Sequence, residues 1–194
     1  AKDTAGTQID TAQFKFGGSS LLLGATNPYV YPNASPPTNL VLGAGDWAID
    51  FWLRLDNTSG SALIIYDQRS SGSGSDTRPT IYYDGGASGV LKYFTSGADR
   101  CVGTTTLAAD TWYHVAVTRD SGTTRLFVNG TQEGSNYTDG ATYTGDKLRP
   151  IIGANGGGAS GIGGVAAWMD ELRVSVGTSR WNTSFTPPSA AYDA

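Results

Sequence analysis

The longest regular alternation in the chain runs from Trp47 to Leu55. Trp47, Ile49, Phe51, Leu53 and Leu55 fall on one face, and Asp50, Trp52 and Arg54 on the other. A period of two is the mark of a half-buried strand. Shorter apolar runs bounded by Gly, Pro, Asn or Asp recur on both sides of it: Phe14–Phe16, Ser20–Leu23, Tyr29–Tyr31, Leu63–Asp67, Thr80–Asp84, Val90–Ser96, Cys101–Thr105, Trp112–Arg119, Thr124–Val128, Leu148–Gly153 and Ala167–Val174. Their length and spacing predict about thirteen short strands and no helix. Asp120-Ser121-Gly122 predicts a hairpin turn, and Asn129-Gly130 a second tight turn. The stretches 32–39, 69–78, 134–147 and 155–164 are rich in turn-forming residues and read as loops.

Composition reinforces the all-β reading. Glutamate occurs only at Glu133 and Glu171, so strong helix formers are scarce, whereas Thr, Val and aromatic residues are common. The 194 residues show no internal repeat and no compositional break, so they read as a single domain with a core from about residue 14 to residue 188 and a tail over 189–194. Only 15% of the residues are charged, and the net charge is −4 with the basic residues scattered singly. Nucleic acid is disfavoured as a partner for lack of a basic patch. No apolar run is long enough for a membrane-inserted helix. The first residues lack the basic-then-apolar order of a secretion signal, as expected of a processed chain or of one domain of a longer protein. Five Asn-x-Ser/Thr sequons, at Asn33, Asn57, Asn129, Asn136 and Asn182, are what a chain this rich in Asn, Ser and Thr produces by chance.

Three groups of segments carry a family resemblance. Phe16-Gly17-Gly18-Ser19-Ser20-Leu21 is followed by Gly45-Asp46-Trp47-Ala48-Ile49-Asp50-Phe51-Trp52. Thr111-Trp112-Tyr113-His114-Val115-Ala116-Val117-Thr118-Arg119 leads into Arg125-Leu126-Phe127-Val128-Asn129-Gly130. Ile151-Ile152-Gly153-Ala154 precedes Met169-Asp170-Glu171-Leu172-Arg173-Val174, Ser179-Arg180-Trp181 and Phe185-Thr186-Pro187-Pro188. In order and spacing these resemble the laminin-G-like, concanavalin A-like domains found in bacteriophage virion proteins and in secreted bacterial proteins. The resemblance implies an all-β, two-sheet antiparallel β-sandwich of the concanavalin A-like jelly-roll type, with ligand sites at the loop rim or in the concave face. It does not by itself imply one function, since such a fold hosts lectins, hydrolases and structural parts alike.

Several residues are of types that carry chemistry in other proteins. Laminarinase-like hydrolases of this fold set two glutamates on one strand around an aspartate; here Glu133 and Glu171 are far apart, and Asp170 and Glu171, being adjacent in a strand, point to opposite faces. His114 is the only histidine and sits mid-strand in a hydrophobic pattern, which reads as structural. Cys101 reads as a small buried hydrophobe. Gly156–Gly161 matches a dinucleotide fingerprint in letters only, since no helix follows. The family resemblance implies a calcium ion at the loop rim, for which Asp46 and Asp170 are the candidate ligands, with Asp84, Asp139 and Asp146 also near loops. Saccharide binding needs an aromatic ring to stack on and polar groups for the hydroxyls. Two clusters offer that mix: Tyr82, Tyr83 and Asp84 with Tyr93 and Arg100, and Tyr137 and Asp139, beside Asn136, with Tyr143. Alternation makes one of Tyr82 and Tyr83 core and the other exposed.

The expectation is therefore a non-catalytic glycan-binding or adhesion module, placed in a virion or outside the cell, with a cell-surface polysaccharide and other virion or host-protein subunits as partners. The alternatives are an architectural virion protein without a small ligand, and a concanavalin-fold glycoside hydrolase.

Overall fold

The computed structural model describes residues 6–24, 28–31, 40–60, 62–69, 77–86, 88–143, 150–155 and 166–193. The sequence-predicted loops at 32–39 and 156–164, most of the one at 69–78, and Asp146 and Asn33 lie outside these residues. Among the described residues twelve strands are formed: β1 (Gln8–Asp10), β2 (Ser20–Leu23), β3 (Trp47–Leu55), β4 (Leu63–Asp67), β5 (Thr80–Asp84), β6 (Val90–Thr95), β7 (Ala98–Val102), β8 (Trp112–Asp120), β9 (Thr123–Val128), β10 (Thr131–Thr138), β11 (Ile151–Ile152) and β12 (Ala167–Val176). They make two antiparallel sheets, a seven-stranded one in the order β1-β2-β12-β3-β8-β9-β10 and a five-stranded one in the order β11-β4-β5-β6-β7. The chain is thus all-β with two sheets packed as a sandwich, as a concanavalin A-like jelly roll requires.

The hairpins follow from local chemistry. Two-residue turns that match strand twist need positive φ at both central positions. Ser121 and Gly122 (φ 48° and 73°) supply this between β8 and β9, Asn129 and Gly130 (49° and 77°) between β9 and β10, and Ser96 and Gly97 (51° and 77°) between β6 and β7. Gly130 is constrained twice, because a Cβ there would also collide with the carbonyl of Phe185.

The inward faces alternate as the sequence dictates. Trp47, Ile49, Phe51, Leu53 and Leu55 of β3 meet Leu63 and Ile65 of β4, Ile81 and Tyr83 of β5, and Leu91 and Tyr93 of β6 in one core, with Val115, Val117 and Leu126 alongside. Cys101 is buried there too, and burial pushes its thiol up to about 12.

The outward face of β3 departs from the half-buried expectation. Asp50 has no exposed surface and Trp52 only 6%. The segment after β12 lies across this face. Trp181 stacks on Phe185 at 4.1 Å, and both rings meet His114 edge-on at 5.7 and 5.6 Å. Tyr192, which the sequence places in a trailing tail, instead donates its phenol to Asp50 (2.5 Å) and its backbone N–H to Glu171 (2.5 Å). Arg173 grips the same Asp50 through Nε and Nη2 at 3.1 and 2.9 Å, and its guanidinium lies 3.8 Å from the Tyr192 ring. His114, fully buried, completes the cluster 3.1 Å from the Tyr192 hydroxyl.

Several strands differ from the pattern-based ones. Tyr29–Tyr31 forms only an isolated bridge, Val30 to Ile152, and within Leu148–Gly153 the described strand is Ile151–Ile152. Phe14–Phe16 is not a strand, and the first strand is Gln8–Asp10 at the sheet edge. Lys15 and Phe16 instead give their backbone N–H groups to Asp170 (2.8 and 3.0 Å). Residues Gly134–Thr138, expected to be loop, continue β10, whose mostly exposed edge and register shift leave no alternation to read. The strand expected at Cys101–Thr105 ends at Val102, because Thr104 and Thr105 turn to meet the Glu133 carboxylate.

That carboxylate is 2% exposed and accepts from the Thr104 and Thr105 amides (2.5 and 2.8 Å) and from both hydroxyls (2.7 Å each). Burial pushes the Glu133 carboxyl up, but the bonds from Thr105 and Thr104 outweigh it and hold the group below its ordinary value. Asp50 behaves alike: burial raises it, and His114, Arg173 and Tyr192 together lower it further.

Two outcomes are expected. Glu133→Gln takes away the charge and one of the two acceptor oxygens on which four bonds converge, and is expected to cost about 1–3 kcal/mol in urea unfolding; Tyr192→Phe, which strips Asp50 and His114 of a partner, is expected to cost a similar amount. In addition, both carboxyls release their protons more readily folded than unfolded, so the unfolded chain binds more protons in acid. Their contribution is complete above about pH 5 and is lost as pH falls through the folded values. The melting temperature of Glu133→Gln should therefore respond less to acidification than that of the parent.

Candidate functional site

The outward face of the five-stranded sheet is where solvent meets aromatic rings. Period-two alternation turns Ile81 and Tyr83 inward and Thr80, Tyr82 and Asp84 outward, and the pairing of Tyr82 with Lys92 and of Thr80 with Phe94 sets Lys92 and Phe94 on that same side. Tyr82 and Phe94 are thus diagonal cross-strand neighbours, about 7–8 Å apart between backbones. They line a cleft of about 410 Å³ floored by Ile64 and Thr80 and closed at its sides by Arg69 and by Gly97, Ala98 and Asp99.

Polar groups in and beside the cleft are tied to one another. The Tyr82 phenol donates to Asp99 Oδ1 at 2.8 Å. Lys92 Nζ lies 2.7 Å from Asp84 and 3.3 Å from Asp99. Arg69 forks onto the buried Asp67 through Nε and Nη2 at 3.0 and 2.8 Å, and its guanidinium stands 5.4 Å from the Phe94 ring. Thr80 also donates to Asp67 (3.0 Å). Burial, and then the Asp99 carboxylate, push the Tyr82 phenol up to about 12. The bond to Lys92 holds Asp84 below the usual carboxylate range.

The two sequence-derived clusters come apart in space. Of the first, Tyr82 lines the cleft and Asp84 borders it through Lys92. Tyr83 and Tyr93 are fully buried and face the core, so of the paired tyrosines it is Tyr82 that faces outward. Arg100 turns away to cap the β6–β7 turn, donating to the Thr95 and Ser96 carbonyls (3.2 and 3.1 Å), and stands 5.0 Å from the Tyr137 ring of the second cluster. Asp139 and Tyr143 are buried inside the sandwich. There the Tyr143 phenol donates to Asp139 (2.7 Å), shares a bond with the Tyr93 phenol (2.9 Å) and packs edge-on against Trp47 (6.0 Å). Thr124 and the Ala141 N–H complete the Asp139 shell at 2.8 and 3.1 Å. These residues satisfy a polar knot within the core and are not presented to a ligand.

Phe94, Asp99, Thr80, Lys92 and Arg69 were absent from the sequence-derived sites. Aligning the alternations of Thr80–Asp84 and Val90–Thr95 across their turn would have brought Phe94 and Lys92 beside Tyr82, but the register shift that sets Asp99 opposite Phe94 is not visible in the sequence.

The aspartates considered for calcium do not converge. Asp170 sits opposite Trp52 and accepts from the Lys15, Phe16 and Glu171 N–H groups. Asp46 precedes Trp47 and accepts from the Ser121 N–H at 2.8 Å, so the two lie on the order of 20 Å apart along β3. Among the described residues no group of three or more His, Cys, Asp or Glu comes together. At their separation Asp46 and Asp170 do not share one ion.

Comparison with known proteins agrees with this architecture. No curated protein matches the chain in sequence. Among solved structures, an alginate lyase of polysaccharide lyase family 7 superimposes with a TM-score of 0.59 at 11% identity, over 90% of this chain and 84% of that one. The ligand-binding domain of botulinum neurotoxin serotype D in complex with N-acetylneuraminic acid superimposes with a TM-score of 0.62 at 13% identity, over 95% of this chain and 43% of that one. The present chain thus spans less than half of the neurotoxin fragment. At such identities the likeness is one of fold. A sequence family described as the concanavalin A-like lectin/glucanases superfamily, of the laminin-G type, matches residues 10–179, and the chain belongs to that family.

Proposed function

We propose that the outward face of the five-stranded sheet binds saccharide, and that the chain serves as a non-catalytic glycan-recognition module of a virion or other extracellular assembly. The observation that carries this reading is the cleft itself. Two partly exposed aromatic rings, Tyr82 and Phe94, stand on neighbouring strands to meet the apolar faces of a sugar chain, with Asp99 in the lining and Lys92 beside Tyr82 as polar groups for its hydroxyls. The likeness to proteins that bind N-acetylneuraminic acid or act on alginate is consistent with a carbohydrate ligand without specifying one.

Binding without turnover is supported by the acid–base groups at hand. General acid–base chemistry needs a group whose pKa lies near the working pH. Tyr82, pushed up to about 12, stays protonated, and Asp84 is drawn the other way by Lys92. Glu133 is consumed by Thr104 and Thr105, and Glu171 by the Tyr192 N–H.

An open, solvent-washed cleft implies weak affinity, a Kd on the order of 0.1–1 mM or about 4–5.5 kcal/mol. Useful adhesion then requires several copies side by side. Two measurements test the reading. Tyr82→Ala or Phe94→Ala should weaken binding of a glycan identified on an array at least about tenfold by calorimetry, with Tyr137→Ala, whose ring lies at the β7–β10 seam, binding as the parent does. Incubation with that same glycan, and with alginate, should release no new chain ends. An array on which no glycan scores, or chain cleavage lost in Tyr82→Ala, would overturn the proposal.

A further inference from the structure

We propose that the Tyr82–Phe94 cleft selects neutral saccharides and discriminates against acidic ones; the inference rests on the saccharide-binding reading above and specifies its ligand class. The two fold neighbours involve acidic sugars, alginate in one and N-acetylneuraminic acid in the other. Recognition of a sugar carboxylate in water calls for a cation able to turn a charge-assisted bond toward it. Among the described residues the cations on this face are already committed. Arg69 spends its fork on Asp67, which is fully buried and would be left as an uncompensated internal charge if the guanidinium swung away. Arg78, which leads into β5, has an interaction of its own. Arg100 is turned to the Thr95 and Ser96 carbonyls and to Tyr137.

Lys92 is the remaining cation among the described residues of this face, and it faces two carboxylates, Asp84 at 2.7 Å and Asp99 at 3.3 Å. Among the described residues this triplet carries an excess negative charge directly beside Tyr82, whose own phenolic proton is directed at Asp99. A sugar carboxylate arriving over the Tyr82 ring would meet that excess, and it would have to break an existing pair to gain a partner. A C6 hydroxymethyl group meets no such penalty. Its hydroxyl can donate to the carboxylate oxygens of Asp99, which retains a lone pair toward solvent since its side chain is 30% exposed.

The test uses matched ligands that differ only at C6: β-1,4-mannohexaose against the β-1,4-mannuronate hexamer, and β-1,4-glucohexaose against its glucuronate counterpart, titrated into the intact protein by calorimetry. The neutral member of at least one pair should bind at least about tenfold more tightly than its acidic partner, with an affinity nearly independent of salt between about 20 and 500 mM, since no ion pair forms. Asp99→Asn removes the excess charge and should narrow the preference at least about threefold, whereas Lys92→Gln deepens the excess and should widen it. An acidic hexamer that binds as well as or better than its neutral partner, with affinity falling steeply in salt, would overturn the inference and leave the saccharide site standing. Binding of an acidic hexamer that is lost in Arg69→Gln would do the same, by showing that the Asp67 pair opens. Failure of every hexamer to bind, with the parent fully folded, would overturn this inference together with the saccharide-binding reading.

Discussion

On the outward face of β3 a carboxylate with no exposure to water has to be compensated, and much of the large sheet is arranged to do so. An ionised group removed from solvent costs several kcal/mol unless it is paired and fully hydrogen-bonded. Asp50 obtains a two-pronged grip from Arg173 on the neighbouring strand and a phenol from Tyr192, more than a hundred residues away in sequence. Tyr192 can reach it only because the segment after β12 folds back over the sheet. Trp181 and Phe185 fill the space between and pack on His114 and Phe127. The apolar cover excludes water, which strengthens the polar contacts beneath it, and the polar contacts fix where the cover lies.

Two further buried carboxylates close the sandwich by the same logic. Glu133 pins the segment after β7 to β10, and next to it Gly134 lets the two backbones approach so closely that a Cβ would strike the Val102 carbonyl. Asp139, with Tyr143 and Tyr93, closes the core beneath Trp47, and Arg119 adds a bond to the Ala141 carbonyl at 2.7 Å. Acidic residues that invite comparison with catalytic or metal-binding groups therefore serve as acceptors for threonine, tyrosine and backbone donors. Much of the large sheet's outward face is thus covered by its own chain, whereas the small sheet's outward face carries the Tyr82 and Phe94 rings of the proposed site.

The belonging of this chain to the concanavalin A-like lectin/glucanases superfamily fixes the frame but leaves the chemistry to individual positions. The same sandwich carries an alginate lyase and part of a neurotoxin's ligand-binding domain at 11% and 13% identity, a likeness of fold alone. On the present chain the small sheet carries Tyr82 and Phe94 as outward rings and a lysine shared between two aspartates.

The sequence by itself determined the all-β class, the inward face of β3 and the hairpins at Ser121-Gly122 and Asn129-Gly130, because a period of two and the positive φ of turn residues are local properties. That Glu133 and Glu171 lie four strands apart in the large sheet was settled by the strand order, not by their distance in sequence. The sequence could not determine which tyrosines face a ligand. Tyr83, Tyr93 and Tyr143 have the same local signature as Tyr82, and only the stacking of one sheet on the other buries three of them. Nor could it show that Asp99 joins Tyr82, since a register shift between β6 and β7 moves the whole edge by a residue. The C-terminal cover, the fully buried Asp50 and the sharing of Lys92 between Asp84 and Asp99 were decided in the tertiary structure alone. Each depends on contacts between segments that no local pattern relates, made where burial of charge leaves a single well-bonded arrangement.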